Sequence, residues 1–392
     1  MLRPIALCAA VACALLAAGP YHAARAASLP GAGEERWALD AINTEEAWKV
    51  TKGAGVTVAL LGDEQPDAGV AELRGRVTQG PDLTGALFDD SEETPETSTG
   101  DVTAAASLIA GSGGLSGVAP EARILSIKVA TGEPELAAAD PQGGIGGAQD
   151  SPMARGIRYA VNHGAAVICI PIAGYGVDRA DREAVSYALS RGIVLVAAAG
   201  DGGQSAYTRQ NGTSYWRFPA GYPGVIGVAS LDRQGRKAAS SSDNLSVLVA
   251  APGADVPVVL PGGKHGVASG TGASSALVAG VAALIKAKYP NMSPELVSRA
   301  LSSTSHPSPN AGYDDNVGFG EVDAGAAVAK AAELAGYAQA APVQDDLHFG
   351  KGPLSEAPMR PGPDPVRLWI YGIAALIGVG AFCGAIVVLS RR

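Results

Sequence analysis

Few residues of this chain have the types and spacing that chemistry needs. Hydrolysis by a hydroxyl requires a nucleophile and a base in contact. Ser274 and Ser275 are the hydroxyl candidates, with His265 upstream and His163 farther off. His265 reads as a surface residue of a Gly-rich turn. His163 closes a helical stretch, where an imidazole suits the negative end of the helix dipole. Cys169 lies in the apolar run AAVICI and reads as an inert buried thiol. Carboxylates stand at Asp63, Asp101 and Asp201, so far apart in sequence that only a fold could gather them. Methionines and aromatics carry no readable site signal.

The element that must position any such site is the stretch Ser269 to Pro290, SGTGASSALVAGVAALIKAKYP. From Ala276 to Ile285 every residue is apolar or Gly. A helix apolar all round has no solvent face and runs through the middle of a sizeable domain. Ten such residues are too few to span a bilayer. Around it, apolar runs at 56–61, 124–129, 166–170, 193–199, 225–229 and 247–256 read as strands buried on both faces. Helical stretches at 152–163, 181–191 and 293 onward alternate with them, Ser293-Pro294 serving as N-cap and first residue of the last. The alternation predicts an α/β fold, a parallel sheet with helices on both faces.

Composition fits that core. Apolar residues make up 47% of the 392, aromatics only 5%, and 52 are Gly, which suits a close-packed interior of small side chains. The net charge of −9 argues against nucleic acid as a partner. Of the four cysteines, Cys8 and Cys13 fall near the start and Cys383 near the end, leaving Cys169 with no partner for a disulfide.

The two ends set an expected compartment. Residues 1–27 read as a signal peptide, with Arg3, an apolar run and the small-x-small site Ala24-Arg25-Ala26. A domain is expected over 28–337, followed by a Pro- and Ala-rich linker at 338–366. A transmembrane helix is expected over 367–390, with Leu368 to Ser390 uncharged and Arg391-Arg392 marking the cytoplasmic side. The expectation is a single-pass membrane protein whose bulk faces outward. Acidic residues 89–96 and the Gly/Pro/Ala-rich stretch 131–150 read as surface loops.

The central stretch also carries a resemblance. G-T-G-A-S-S-A-L-V-A-G-V-A-A-L resembles the subtilisin-like serine proteases, whose motif G-T-S-x-A-x-P-x-V-A-G-V-A-A-L holds the nucleophilic Ser. Gly272 stands at that position. VTVALLGDEQ resembles the strand that ends on the family's catalytic Asp, here Gly62 with Asp63 one residue later. Thr103 onward, through Gly117-Val118-Ala119-Pro120, resembles the segment after the catalytic His, whose position is Asp101. Pro171 falls at the Ser of the substrate-lining edge. IVLVAAAGDGG resembles the strand whose Asn donates to the oxyanion, here Asp201, and Gly318 to Ala324 resembles the closing G-x-G-x-V-D-A. The entry segment around Trp37, together with the tail helix, is most similar to the mycosins, membrane-anchored subtilases of secretion systems.

The resemblance implies a subtilisin-like three-layer fold over roughly residues 35–335 and no working triad. A Ser-His-Asp triad needs a hydroxyl, an imidazole and an orienting carboxylate, with donors facing the oxyanion. Gly272, Asp101 and Gly62 supply none of these in place. An ionised Asp201 would reverse an oxyanion interaction worth roughly 3 kcal/mol. A two-residue step along a helix turns a side chain about 200°, so neither Ser274 nor Ser275 points where Gly272 does. The first reading is therefore a binding or assembly component of a secretion-type membrane complex, able to hold a peptide along the cleft edge. The alternatives are an active serine endopeptidase with a relocated site and a purely structural subunit with no cleft ligand. The implied convergence of Asp63, Asp101 and Asp201 would force a shared proton or admit a cation such as Ca²⁺. The simpler expectation is an open cleft with solvated carboxylates and no cofactor.

Overall fold

A strand buried on both faces has no polar side to present, and the apolar runs of this chain take that role. The structure, a computed structural model, describes residues 25–26, 35–84, 99–130, 151–336 and positions 369, 371 and 373. In chain order, β1 (Arg25–Ala26), α1 (Trp37–Ala41), α2 (Thr44–Trp48), β2 (Thr57–Gly62), β3 (Val77–Asp82) and α3 (Thr99–Ala110) come first. Then follow β4 (Arg123–Lys128), α4 (Pro152–Asn162), β5 (Val167–Ile170), α5 (Arg179–Ser190), β6 (Val194–Ala198) and α6 (Ala206–Asn211). The last third holds β7 (Ile226–Leu231), β8 (Val247–Pro252), β9 (Val256–Leu260), β10 (Lys264–Ala268), α7 (Thr271–Lys288), α8 (Pro294–Thr304) and α9 (Ala324–Ala335).

Seven strands form one sheet in the order β3-β4-β2-β5-β6-β7-β8, with every neighbouring pair parallel. Alternate residues along a strand face opposite sides. Val58 and Leu60 of β2, and Val167 and Cys169 of β5, thus pack into one core with α3 and α7. Ala59, Leu61, Ile168 and Ile170 pack into the other with α4 and α5. The three layers expected from the alternation are present. A separate antiparallel sheet, β1-β10-β9, lies beside them.

The central helix α7 is buried without a break from Ala273 to Lys286. Lys286 is the one charge in that run. Its Nζ donates to the carbonyls of Gly192, Pro290 and Met292, so the ammonium is met by oxygens where the helix ends. Burial lowers its pKa.

Two expectations need correction. His265 is not in the turn: the turn is Gly262-Gly263, both at positive φ, and His265 follows on β10. It is partly buried, its Nε2 lies 3.5 Å from Glu72 Oε1, and its Nδ1 is buried without a partner. Ser293 does sit at the N-cap of α8, but its side chain makes no capping bond. Residues Arg25–Ala26 pair with Val267 and Gly266 of β10.

The chain divides into a first unit, Met1–Gln339, and a second, Ala340–Arg392. Of the second, Trp369, Tyr371 and Ile373 are described, each helical and exposed. The expected linker and most of the expected membrane helix lie outside the described residues. So do residues 1–24 and the expected loops at 89–96 and 131–150. No helix among the described residues is long and apolar enough to cross a membrane.

Candidate active site

The positions singled out in sequence fall where parallel strands end and helices begin, the customary ligand side of such a sheet. Gly62 is the last residue of β2, the third strand of seven. A Cβ there would stand 2.8 Å from Cγ2 of Val102, itself buried in the first turns of α3. The space a side chain at position 62 would enter is thus already filled by Val102. Asp63 follows, partly buried, and desolvation holds its carboxyl above the usual range. Its own backbone N–H opposes that rise, the Glu64 charge adds to it, and Lys128 opposes it more weakly. Asp101 lies in the first turn of α3, one residue before Val102. Its side chain falls outside the described residues.

Gly272 is the second residue of α7. A Cβ on it would lie 2.7 Å from the carbonyl oxygen of Pro171, just past the end of β5. Real Cβ atoms do not approach an oxygen so closely, and this one belongs to the backbone. Any side chain at 272 requires the main chain at 171 or the start of α7 to move. The Pro identified in sequence on the cleft edge therefore acts through its main chain, closing the space above α7.

Ser274 and Ser275 are both fully buried and turned inward. Ser274 Oγ donates within the carbonyls of Ala251 and Pro252, 3.1 and 3.0 Å away, at the end of β8. Ser275 Oγ donates to Gly272 O at 2.7 Å and also lies against the Cys169 thiol. Neither hydroxyl faces the mouth, as the helical step requires. Cys169 is buried, and burial pushes its thiol up to about 12, with Ser275 opposing. That is an unreactive thiol. His163 accepts the role read for it, capping α4 with Nδ1 2.8 Å from Tyr159 O.

Asp201 follows the Gly200 turn after β6. Its Oδ1 accepts the Thr271 N–H at 3.0 Å, and Oδ2 lies 3.4 Å from Thr271 Oγ1. The Thr271 hydroxyl in turn accepts the Gly200 N–H at 3.0 Å. The carboxylate therefore sits on the N-terminus of α7, where unpaired N–H groups and the helix dipole favour negative charge. The N-cap Gly270 has φ 122°, and a Cβ on it would come 3.0 Å from Asp201 Oδ2. Only Gly lets the carboxylate approach that closely. Among the described residues no three His, Cys, Asp or Glu side chains come together as a metal site would need.

What this arrangement offers chemically is a capped helix end facing the Pro171 carbonyl; farther past β5, Gly174 already pairs with Phe218 through both main-chain groups. Neither Gly272 nor the two serines after it presents a hydroxyl to the cleft. Sequence reasoning missed Val102 and the Pro171 carbonyl as the groups that occupy the two glycine positions. A bulky residue directly after Asp101 was the available signal for the first. A backbone oxygen leaves none for the second.

Comparison with known proteins places these observations in a lineage. The subtilase family model matches residues 53–320. Fervidolysin of Fervidobacterium pennivorans is 32% identical over 75% of this chain, which spans 44% of that relative's length. Mycosin-4 of Mycobacterium tuberculosis is 34% identical over 72% of this chain and 67% of its own. The solved structure of MycP1, a serine protease described as an essential component of the type VII (ESX-1) secretion system, superposes with a TM-score of 0.62. It is 28% identical and matches 78% of this chain and 92% of its own. With its parallel sheet, its buried central helix and a family match across both, the chain belongs to the subtilase family.

Proposed function

We propose that this chain is a mycosin-like subtilase homologue that binds and does not cleave. The observation that carries the reading is the closure at Gly272. The nucleophile position has no side chain, and the Pro171 carbonyl stands 2.7 Å from where one would begin. Attack on a peptide carbonyl needs a nucleophile in contact with a base, and Ser274 and Ser275 are bonded inward to main-chain oxygens. An extended peptide would pair along the main chain just past β5, at Ile172 and Ala173, because main-chain hydrogen bonding is independent of a triad. Likeness to MycP1, itself described as part of a secretion system, supports an assembly role at a membrane. The apolar run 368–390, followed by Arg391-Arg392, supports a single-pass anchor with the folded unit outside.

Labelling with a fluorophosphonate probe and hydrolysis of fluorogenic peptides test the reading. Neither signal is expected above a heat-denatured control. Labelling that disappears in Ser274→Ala or Ser275→Ala would overturn it in favour of a relocated serine site.

A further inference from the structure

A cleft of about 490 Å³ opens beside the outer edge of β8, where the chain returns after α8. Its walls include Leu231, Pro307, Pro309, Tyr313 and Val317, and its acidic groups are Asp314 and Glu321. None of its lining residues is a Lys, Arg or His, and none belongs to the positions at 62, 63, 101, 171, 201 or 272. Glu321 is fixed by its main chain. The flanking Gly320 carbonyl and Val322 N–H pair with Ala250, and the Glu321 carbonyl accepts the His306 N–H at 2.8 Å. Its carboxyl is only partly exposed and has no hydrogen bond or ion pair among the described residues. Asp314 Oδ1, by contrast, is engaged with the N–H groups of Asn316 and Val317.

A half-buried carboxyl on a fixed main chain, with no counter-charge among the described residues, in a cleft that mixes Leu, Pro, Tyr and Val with Ser308 and Asn310, is the complement of a cation on a short organic stem. We propose that this cleft binds an alkylguanidinium or alkylammonium group, with Glu321 as its counter-ion. A bare metal ion fits poorly. Ca²⁺ takes six to eight oxygens, and the cleft provides two carboxylates within a volume suited to a small organic group. Burial pushes the Glu321 carboxyl up to about 7, which a bound cation would reverse. The other titratable groups facing it are Asp314 and Tyr313, and the nearby Arg236 is paired with Asp232 at 2.8 Å.

The test is thermal unfolding of the full chain with millimolar agmatine, with acetyl-arginine amide, and with 1,4-butanediol as the uncharged control. Ionic strength is matched with KCl. At pH 8 either cation should raise Tm by about 3 °C near saturation, and the diol should not. The rise should vanish at pH 5, where Glu321 holds its proton, and in Glu321→Gln at pH 8. A rise with acetyl-arginine amide alone identifies a basic side chain of a polypeptide as the ligand. A rise with both identifies the cationic stem itself. Absence of any rise at pH 8, or an equal rise at pH 5 or in Glu321→Gln, overturns the proposal. The pH 5 arm decides the matter without a substitution, should the variant not fold.

Discussion

At the scale of the residue, two glycines leave little room for a side chain at the end of β2 and the start of α7. Gly272→Ser, the substitution that writes the family's motif back, should restore no fluorophosphonate labelling. It should also lower stability by about 1–3 kcal/mol, the usual cost of overpacking, because the new Cβ meets the Pro171 carbonyl. Urea unfolding alongside the labelling assay reads both effects. A labelled, fully stable variant would mean that the main chain at 171 gives way freely. The places of Gly62, Asp101, Asp201 and Gly272 were legible in the sequence, since the motifs around them put each at a strand end or a helix start, as the structure has them. Their surroundings were not. The group facing Gly272 is a main-chain oxygen more than a hundred residues away, and every residue type has one. Glu321 was passed over for a related reason: a carboxyl without a partner looks the same in sequence as one with a partner.

At the scale of the element, α7 gathers the chain's interactions. Its N-terminus is held by Asp201, and near its C-terminus Lys286 ties the helix to the carbonyls of Gly192, Pro290 and Met292, each charge lying at the end the dipole favours. Asp201→Ala should cost about 1 kcal/mol, as loss of an N-cap does, measured by urea unfolding. Asp201→Asn should cost less, because an amide oxygen still accepts the Thr271 N–H. Equal stability of the alanine variant and the parent would show that solvent replaces the carboxylate there. The helix itself was plain from ten successive residues without a polar side chain, and the strands from their apolar runs. His265 was misplaced because the glycines that turn the chain precede it, and a strand of five residues containing Lys, His and Gly gives no alternating pattern.

At the scale of the whole molecule, several carboxyls face the wrong environment for their charge. Burial pushes Asp181 up to about 6, with the Ser151 hydroxyl opposing and the Asp178 charge adding to the rise. Glu321 is pushed up to about 7 by burial alone. A carboxyl whose pKa is higher folded than unfolded contributes stability that is fully present below its unfolded value, near 4, and lost as pH climbs through its folded value. The fold should therefore weaken between pH 4 and 7 on account of these groups. Asp82 and Asp232 are lowered instead and act only in stronger acid. Glu321→Gln should raise stability at pH 8 by about 1–2 kcal/mol, after allowance for solvent screening, and leave it unchanged at pH 4. Tm against pH for parent and variant checks this, and a gain of equal size at both pH values would assign the effect to packing.

The filling of the Gly62 position by Val102 has a further consequence for how such a protein can change over generations. On the proposed reading, an acid regained at 62 collides with Val102 before any base exists to use it. A hydroxyl regained at 272 likewise collides with the chain at 171. Each first step back is a loss with no immediate benefit, and pairs of changes must arrive together. On that reading the two positions are guarded by their neighbours, so a variant made catalytic again would need compensating changes at 102 and 171 beside the ones at 62 and 272.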